Sequence, residues 1–164
     1  IREDQFSKEY LAVVHGRPES PEGTLRDLLA RDKARRMTFV ADAPGKGVQE
    51  AALSYRVLEY ADGMSLVRVR LHTGRTHQIR VQFAHAGFPL FGDTKSGTAV
   101  LKEAMSAQKY RGVALCAYSL ELVHPISGKK LRFRVVPKKP AFAGFAMEEL
   151  KKLTENETGI SKRG

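Results

Sequence analysis

The sequence lacks the features of a membrane protein and of a secreted one. No apolar run approaches the ~20 residues that a membrane-spanning helix needs. Cys116 is the only cysteine among 164 residues, which excludes a disulfide within the chain. The first residues, Ile-Arg-Glu-Asp, do not resemble a signal peptide. We therefore expect a cytoplasmic protein with no membrane partner.

Acidic residues are few relative to basic ones. The chain has 18 Asp and Glu against 28 Lys and Arg, which gives a net charge of +10. Residues 148–164 are neutral, so the excess lies in the body, around residues 26–36, 68–80 and 129–139. A basic body favours a polyanionic partner, with nucleic acid ahead of a membrane surface. The net charge by itself does not distinguish a protein that binds a polyanion from a basic protein that does not.

Alternation of apolar and polar residues is typical of strands that are half buried. The Asp62-Gly63 pair lies between two alternating segments and predicts a tight hairpin there. Turn residues at 125–128 predict a second hairpin. The predicted strands are residues 8–16, 50–60, 66–72, 113–124 and 131–136.

Helices are predicted where apolar residues recur at three- and four-residue spacing. Thr24 would cap a short helix over residues 24–30, and Thr76 would cap one that ends near Gly87. Two more are predicted over residues 98–110 and 142–153. The combination indicates an α+β domain, a mainly antiparallel mixed sheet with packed helices, over residues 1–153. Residues 154–164 are expected to be a flexible tail.

Residues 71–80, Leu-His-Thr-Gly-Arg-Thr-His-Gln-Ile-Arg, concentrate the polar side chains that could do chemistry. They read as the end of a strand, a turn and the start of a helix. Arg75, His77 and Arg80 would then lie near the unpaired N–H groups of the helix start, which suits a phosphate or a carboxylate. The alternative is a well-capped helix whose arginines are merely solvated. The residues by themselves slightly favour that alternative.

Other kinds of site find no support. The histidines and Cys116 show neither Cys-x-x-Cys nor His-x-x-x-His spacing, so we expect no metal site. Neither a nucleophile elbow nor a recognisable triad pattern is present. Among the aspartates, Asp27 is explained by a helix start, Asp62 by its turn and Asp93 by the start of a loop. No carboxylate therefore stands out as catalytic.

Residues 73–81, Thr-Gly-Arg-Thr-His-Gln-Ile-Arg-Val, here called the central motif, precede Gly-Phe-Pro-Leu-Phe-Gly-Asp over residues 87–93. Together they resemble the signature of the RluA-type RNA pseudouridine synthases. Lys8-Glu9-Tyr10 resembles the Lys-x-Tyr strand of that family, residues 54–58 its following strand and residues 124–128 its late hairpin. The resemblance spans roughly residues 6–142. It implies a pseudouridine-synthase-like fold, incomplete at its N-terminal side.

The resemblance implies isomerisation of uridine in RNA without a cofactor. The uridine is flipped into a cleft, its N-glycosidic bond is cut, and the base is rotated and rejoined through C5. Tyr10 would stack on the base and serve in the proton transfer from C5. Arg80 would pair with the catalytic Asp and keep that carboxylate ionised. Arg75, Thr76 and His77 would shape the cleft wall and contact phosphate or sugar.

The sequence departs from the family in the place that matters most. The nucleophilic Asp of the family belongs to a His-Arg-Leu-Asp-x-x-Thr-x-Gly motif that precedes the Lys-x-Tyr strand, and the 164 residues contain no such motif. Leu115-Cys116-Ala117 also stands where many members carry Leu-His-Ala. We expect this chain alone to be inactive, and to supply the Tyr10 and Arg80 half of the active site of a longer parent synthase.

The parent is expected to act on ribosomal RNA ahead of transfer RNA. A non-catalytic RNA-binding module derived from the same fold is the alternative. A fold that lacks its first strands leaves sheet edges and apolar surface uncovered, so we also expect self-association of the chain.

Overall fold

An antiparallel sheet of seven strands dominates the part of the chain that the structure describes. This computed structural model describes residues 6–93, 113–123, 126–134 and 140–145. The strands lie in the order β3-β2-β4-β5-β1-β6-β7. The predicted α+β class is confirmed. The elements are β1 (Phe6–His15), β2 (Glu22–Asp32), β3 (Met37–Val40), β4 (Gln49–Ala61), β5 (Met64–Leu71), α1 (Gln78–His85), β6 (Leu115–Val123) and β7 (Lys130–Arg134).

The alternating segments form the strands that they predict. The β4–β5 hairpin turns at Asp62 and Gly63, whose φ angles of 52° and 77° are both left-handed, as a type I′ turn requires. The β6–β7 hairpin is also present. Gly87, with φ of 94°, follows α1 where a left-handed residue was expected.

The helix predicted over residues 24–30 is wrong, because these residues belong to β2. The leucines at 25, 28 and 29 fit helical spacing, but Leu25 and Leu29 also lie four residues apart on one face of a strand. Eight consecutive residue pairs join β2 to β4, from Glu22–Arg56 to Leu29–Gln49. Tertiary pairing therefore decides between two local patterns that the sequence leaves nearly equal.

The predicted cap at Thr76 is also wrong. Helix α1 begins at Gln78, and its N-cap residue is His77, which has a left-handed φ of 54° and makes no side-chain capping hydrogen bond. The backbone N–H of Arg75 instead donates to Oε1 of Gln78 at 2.9 Å. A side chain from the first turn of the helix thus reaches back and holds the preceding turn.

Some predictions fall outside the described residues. These are the helix over residues 98–110 and the tail over 154–164. Of the helix predicted over 142–153, only residues 142–145 are described, and they continue from a 3₁₀ turn over Pro140–Phe142. Within the described part, no helix is long and apolar enough to cross a membrane.

Apolar side chains bury both faces of the central strands. We call the face that carries α1 the helix face and the other the opposite face. Phe83 and Phe142 are the largest buried side chains, one on each face. The helix-face cluster is Ala12, Val14, Leu53, Val67, Val69, Ile79, Phe83 and Leu90. The opposite-face cluster is Leu11, Val13, Leu66, Phe91, Ala114, Tyr118 and Phe142.

The segment after α1 returns to the sheet beside β1. His15 N–H donates to the carbonyl of Pro89 at 2.9 Å, and Phe91 N–H donates to that of Val13 at 2.8 Å. Residues 89–91 thereby continue the pairing of β1 beyond the point where β6 begins. This connection fixes the position of Asp93, two residues further on.

Lowering the pH is expected to destabilise the fold through His15. Its Nε2 atom is buried without a hydrogen-bond partner in the described structure, and burial lowers the pKa of its imidazole below 6.5. The unfolded chain then binds the proton more readily, so this contribution to stability is complete above about pH 6.5 and is lost as the pH falls toward the lower folded pKa.

Urea denaturation at several pH values measures this effect. Between pH 7 and pH 5 the wild type should lose unfolding free energy relative to His15→Leu, because the two proteins differ only in whether residue 15 can bind a proton. A constant difference over that range would contradict the role of His15.

Candidate active site

The turn of the central motif is held by the buried side chain of Gln78. Its Oε1 accepts hydrogen bonds from the hydroxyl of Thr73 at 2.8 Å and from the N–H of Arg75 at 2.9 Å. Its Nε2 donates to the carbonyl of Ala52 on β4 at 3.0 Å. Since Gln78 is only 2% exposed, these bonds replace water completely. The turn is therefore fixed to the sheet at the end where β5 leaves it.

Gln82, one helical turn later, extends this network to β2. Its Oε1 accepts a hydrogen bond from Nε2 of Gln78 at 2.9 Å, and its own Nε2 donates to Oδ2 of Asp27 at 2.9 Å. Gln82 is fully buried. The network orients α1 on the sheet. Asp27 lies in a strand and accepts this bond, so its assignment to a helix start was wrong.

Arg80 and Asp93 form a two-pronged ion pair beside the helix. Nε of Arg80 donates to Oδ2 of Asp93 at 3.1 Å, and an Nη atom donates to Oδ1 at 2.8 Å. The Asp93 side chain is fully buried and that of Arg80 is 20% exposed. The sequence pattern predicted only the start of a loop at Asp93. Its burial and pairing make it the partner that holds Arg80 in place.

The pairing leaves part of the Arg80 guanidinium available. A guanidinium has five N–H donors, and Asp93 takes one from each of two nitrogens. The other three donors have no acceptor among the described residues. Arg80 can therefore bind a second carboxylate or a phosphate while Asp93 holds it.

Tyr10 lies on the helix face of β1, at an irregularity of the sheet. The register between β1 and β6 shifts between Glu9, which pairs with Ser119, and Tyr10, which pairs with Ala117. Such bulges turn side chains away from the regular pleat and are common beside active sites. Tyr10 is partly buried against the helix-face cluster that includes Ile79 and Phe83 from α1. Its hydroxyl makes no hydrogen bond within the described structure.

Arg75, Thr76 and His77 form the turn that precedes α1. Nε of Arg75 donates to the carbonyl of Glu50 on β4 at 2.9 Å. The guanidiniums of Arg75 and Arg80 therefore bind different acceptors. Thr76 and His77 are exposed. The turn therefore presents polar side chains to solvent on a rigid support, next to the strand end.

Three residues whose contacts the sequence did not indicate are Gln78, Gln82 and Asp93. Glutamine at two buried helix positions four residues apart was a usable signal, because buried amides must find partners. Asp93 ends the segment 87–93 that carries the family resemblance, but nothing in the local pattern indicated its pairing with Arg80, which lies 13 residues earlier across a turn.

Comparison with known proteins identifies the family. A family model described as RNA pseudouridylate synthase matches residues 1–85. The uncharacterized RNA pseudouridine synthase YlyB of Bacillus subtilis is 37% identical over 127 residues, which cover 77% of this chain and 39% of that protein. The ribosomal large subunit pseudouridine synthase D of Zymomonas mobilis is 36% identical over 135 residues, covering 78% of this chain and 40% of that one.

Solved structures agree on the fold. The human RNA pseudouridylate synthase domain containing 1 matches with a TM-score of 0.68 at 24% identity, covering 82% of this chain and 56% of that one. The present chain spans about two fifths of the length of the curated relatives that it matches. A family model that covers half of the sequence, together with this shared fold, shows that the chain belongs to the RNA pseudouridine synthase family of the RluA type.

Proposed function

We propose that this chain is part of an enzyme that converts uridine to pseudouridine in RNA, and that it contributes Tyr10 and Arg80 to the active site. The nucleophilic Asp would come from a segment outside these 164 residues. The observation that carries the proposal is the Arg80–Asp93 pair, which holds a guanidinium rigidly and leaves three donors for another anion. A carboxylate beside these donors would stay ionised, as a nucleophile must.

In the proposed reaction the incoming Asp attacks C1′ of the ribose and the N-glycosidic bond breaks. The freed uracil turns, and its C5 attacks C1′ and displaces the Asp carboxylate. N1 gains a proton and C5 loses one, so the product is an isomer of the substrate. The ring of Tyr10 would stack on the uracil, and its hydroxyl would serve in the transfer of the C5 proton. Arg75, Thr76 and His77 would contact the sugar or phosphates of the flipped nucleotide.

The substrate is proposed to be structured RNA in the cytoplasm, with ribosomal RNA ahead of transfer RNA. The name of the relative from Zymomonas mobilis states that it acts on the large ribosomal subunit, as does that of a relative from Haemophilus influenzae. The net charge of +10 suits a polyanionic substrate of either kind.

Release of tritium from RNA labelled at C5 of uridine tests the proposal. A longer protein that adds an upstream segment with the His-Arg-Leu-Asp sequence should release tritium, and its Asp→Asn variant should not. The 164-residue chain should release none. Turnover by that chain would refute the assignment of the nucleophile to another segment.

RNA binding by both proteins without tritium release from either would instead identify a non-catalytic RNA-binding module. Ribosomal and transfer RNA, labelled separately, distinguish the two proposed substrates in the same assay.

A further inference from the structure

Three arginines share the opposite face of the sheet, away from Tyr10 and Arg80. Arg56 of β4 lies directly across from Arg68 of β5, and Arg70 follows two residues later on the same face. That this is the opposite face follows from the pairing of Arg68 with Leu11, a member of the opposite-face cluster. Two like charges placed directly across a strand pair repel each other.

No close ion pair neutralises these two arginines within the described part of the chain. Neither the Arg56 side chain nor that of Arg68 makes an ion pair or a hydrogen bond with another described residue. Glu22 lies across from Arg56 in the β2–β4 pairing, but it forms no ion pair within 4.0 Å. Glu9 is already used, since it pairs with Arg70 at 3.2 Å and accepts a hydrogen bond from the hydroxyl of Tyr118 at 2.6 Å. The two guanidiniums therefore form no close ion pair among the described residues, although Glu9 and Glu22 line the same pocket.

The three arginines line a pocket of about 220 Å³ together with Glu9, Glu22, Ser54 and Tyr55. The arginines outnumber the two glutamates, so the lining is cationic. The hydroxyl of Ser54 is 2.6 Å from Nε2 of His72 and 3.3 Å from that of Thr24. Hydroxyl, imidazole and guanidinium groups are the usual protein partners of a phosphate. The pocket has the size and the donors to take one.

The pocket also belongs to a longer row of cationic side chains. Arg68 and Arg70 of β5 are two residues apart, so their Cα atoms lie about 6.8 Å from each other, and His72 follows directly after the strand. The row ends at the turn that carries Arg75 and Thr76. A regular row of donors suits a repeating anion better than a single carboxylate.

We propose that the opposite face binds the RNA backbone, with one phosphate held between Arg56 and Arg68. The RNA strand would pass from this row around the end of β5 to the turn before α1. The protein would therefore contact its RNA on both faces of the sheet. The proposal rests on the proposed function for the identity of the polyanion. It adds a phosphate site that is separate from the candidate active site.

The salt dependence of RNA binding by the 164-residue chain tests the site. For single-stranded RNA, Arg56→Gln and Arg68→Gln should each lower the slope of log affinity against log salt by about 0.7. Arg35→Gln is the matched control, because Arg35 is 80% exposed in a turn remote from the pocket in the β2–β3 hairpin. An unchanged slope in the double variant, or an equal loss for Arg35→Gln, would overturn the proposal.

Stability measurements separate a binding site from a structural one. At low salt Arg68→Gln should melt at or above the temperature of the wild type, because it removes a repulsion. Inorganic phosphate should raise the melting temperature of the wild type more than chloride does at equal ionic strength, and this excess should vanish in the Arg56→Gln/Arg68→Gln variant.

A lower melting temperature for Arg68→Gln, or no specific effect of phosphate, would contradict the site. These readouts need no turnover. If the longer protein fails to release tritium, the proposed function fails, while the salt slopes and the phosphate effect still decide this inference.

Discussion

Replacing Arg80 by Ala is expected to lower the free energy of unfolding by about 3–5 kcal/mol. The change removes both hydrogen bonds and the ion pair that Arg80 makes with the fully buried carboxylate of Asp93. Removing one partner of a buried ion pair costs more than the pair itself contributes, because the remaining charge has lost its water and its partner. Urea denaturation of the 164-residue chain measures the effect.

The matched control is Arg80→Met combined with Asp93→Leu. This variant removes both charges and keeps most of the side-chain volume, so its stability should lie closer to the wild type than that of Arg80→Ala. A loss below 1 kcal/mol for Arg80→Ala would mean that Asp93 does not depend on Arg80, and would weaken its role in positioning the guanidinium.

The activity of Arg80 variants has to be separated from this stability effect. Arg80→Lys keeps the charge near Asp93 but cannot form the two parallel hydrogen bonds. In the longer protein we expect it to remain folded and to lose most tritium release, since a single ammonium cannot hold Asp93 and the incoming Asp in fixed positions. Release at the wild-type rate would refute the proposed role of Arg80.

Replacing Gln78 by Ala is expected to cost about 3 kcal/mol or more. The change removes the acceptor for the Thr73 hydroxyl and the Arg75 N–H, and the donor to the fully buried Oε1 of Gln82. The carbonyl of Ala52 also loses a donor but keeps the N–H groups of His72 and Thr73. Each buried group left unsatisfied costs about 1–3 kcal/mol, and the lost side-chain volume adds a cavity. Because the turn loses its anchor, the amide hydrogen of Arg75 should also exchange faster with solvent.

Thr76→Ala is the control for this prediction. Thr76 is exposed and makes no hydrogen bond within the described structure, so its replacement should change stability by less than about 0.5 kcal/mol. Comparable losses for Thr76→Ala and Gln78→Ala would contradict the view that Gln78, rather than a threonine cap, holds the turn.

The runs of apolar and alternating residues predicted β1, β4 and β5, which lie at the centre of the sheet and are buried on both faces. The prediction failed for β2, although burial alternates along that strand, because Asp27 occupies an inward-facing position and interrupts the apolar pattern of the sequence. The leucines at 25, 28 and 29 satisfy a helical pattern as well, and only the pairing with β4 separates the two. The pairing of two distant segments cannot be read from the local sequence of either one.

The family resemblance pointed to residues of the candidate site but not to their contacts. The central motif and Tyr10 were identified by their resemblance to the family. That resemblance gives no distances or contacts. The partner of Arg80 could not be foreseen, because Asp93 reaches it only after the chain has returned to β1 through Pro89 and Phe91. The role of Gln78 was hidden for a similar reason, since its partner Ala52 lies 26 residues earlier.

The position of β1 in the middle of the sheet has a consequence for biosynthesis. Glu9 of β1 contacts Arg70 of β5, 61 residues later, and Tyr118 of β6, 109 residues later. On the ribosome β1 emerges before the other described strands. Its neighbours in the sheet, β5 and β6, are synthesised much later, so both edges of β1 stay unpaired until then. Refolding should therefore be slow, and nascent chains that stop before β6 should aggregate or recruit chaperones.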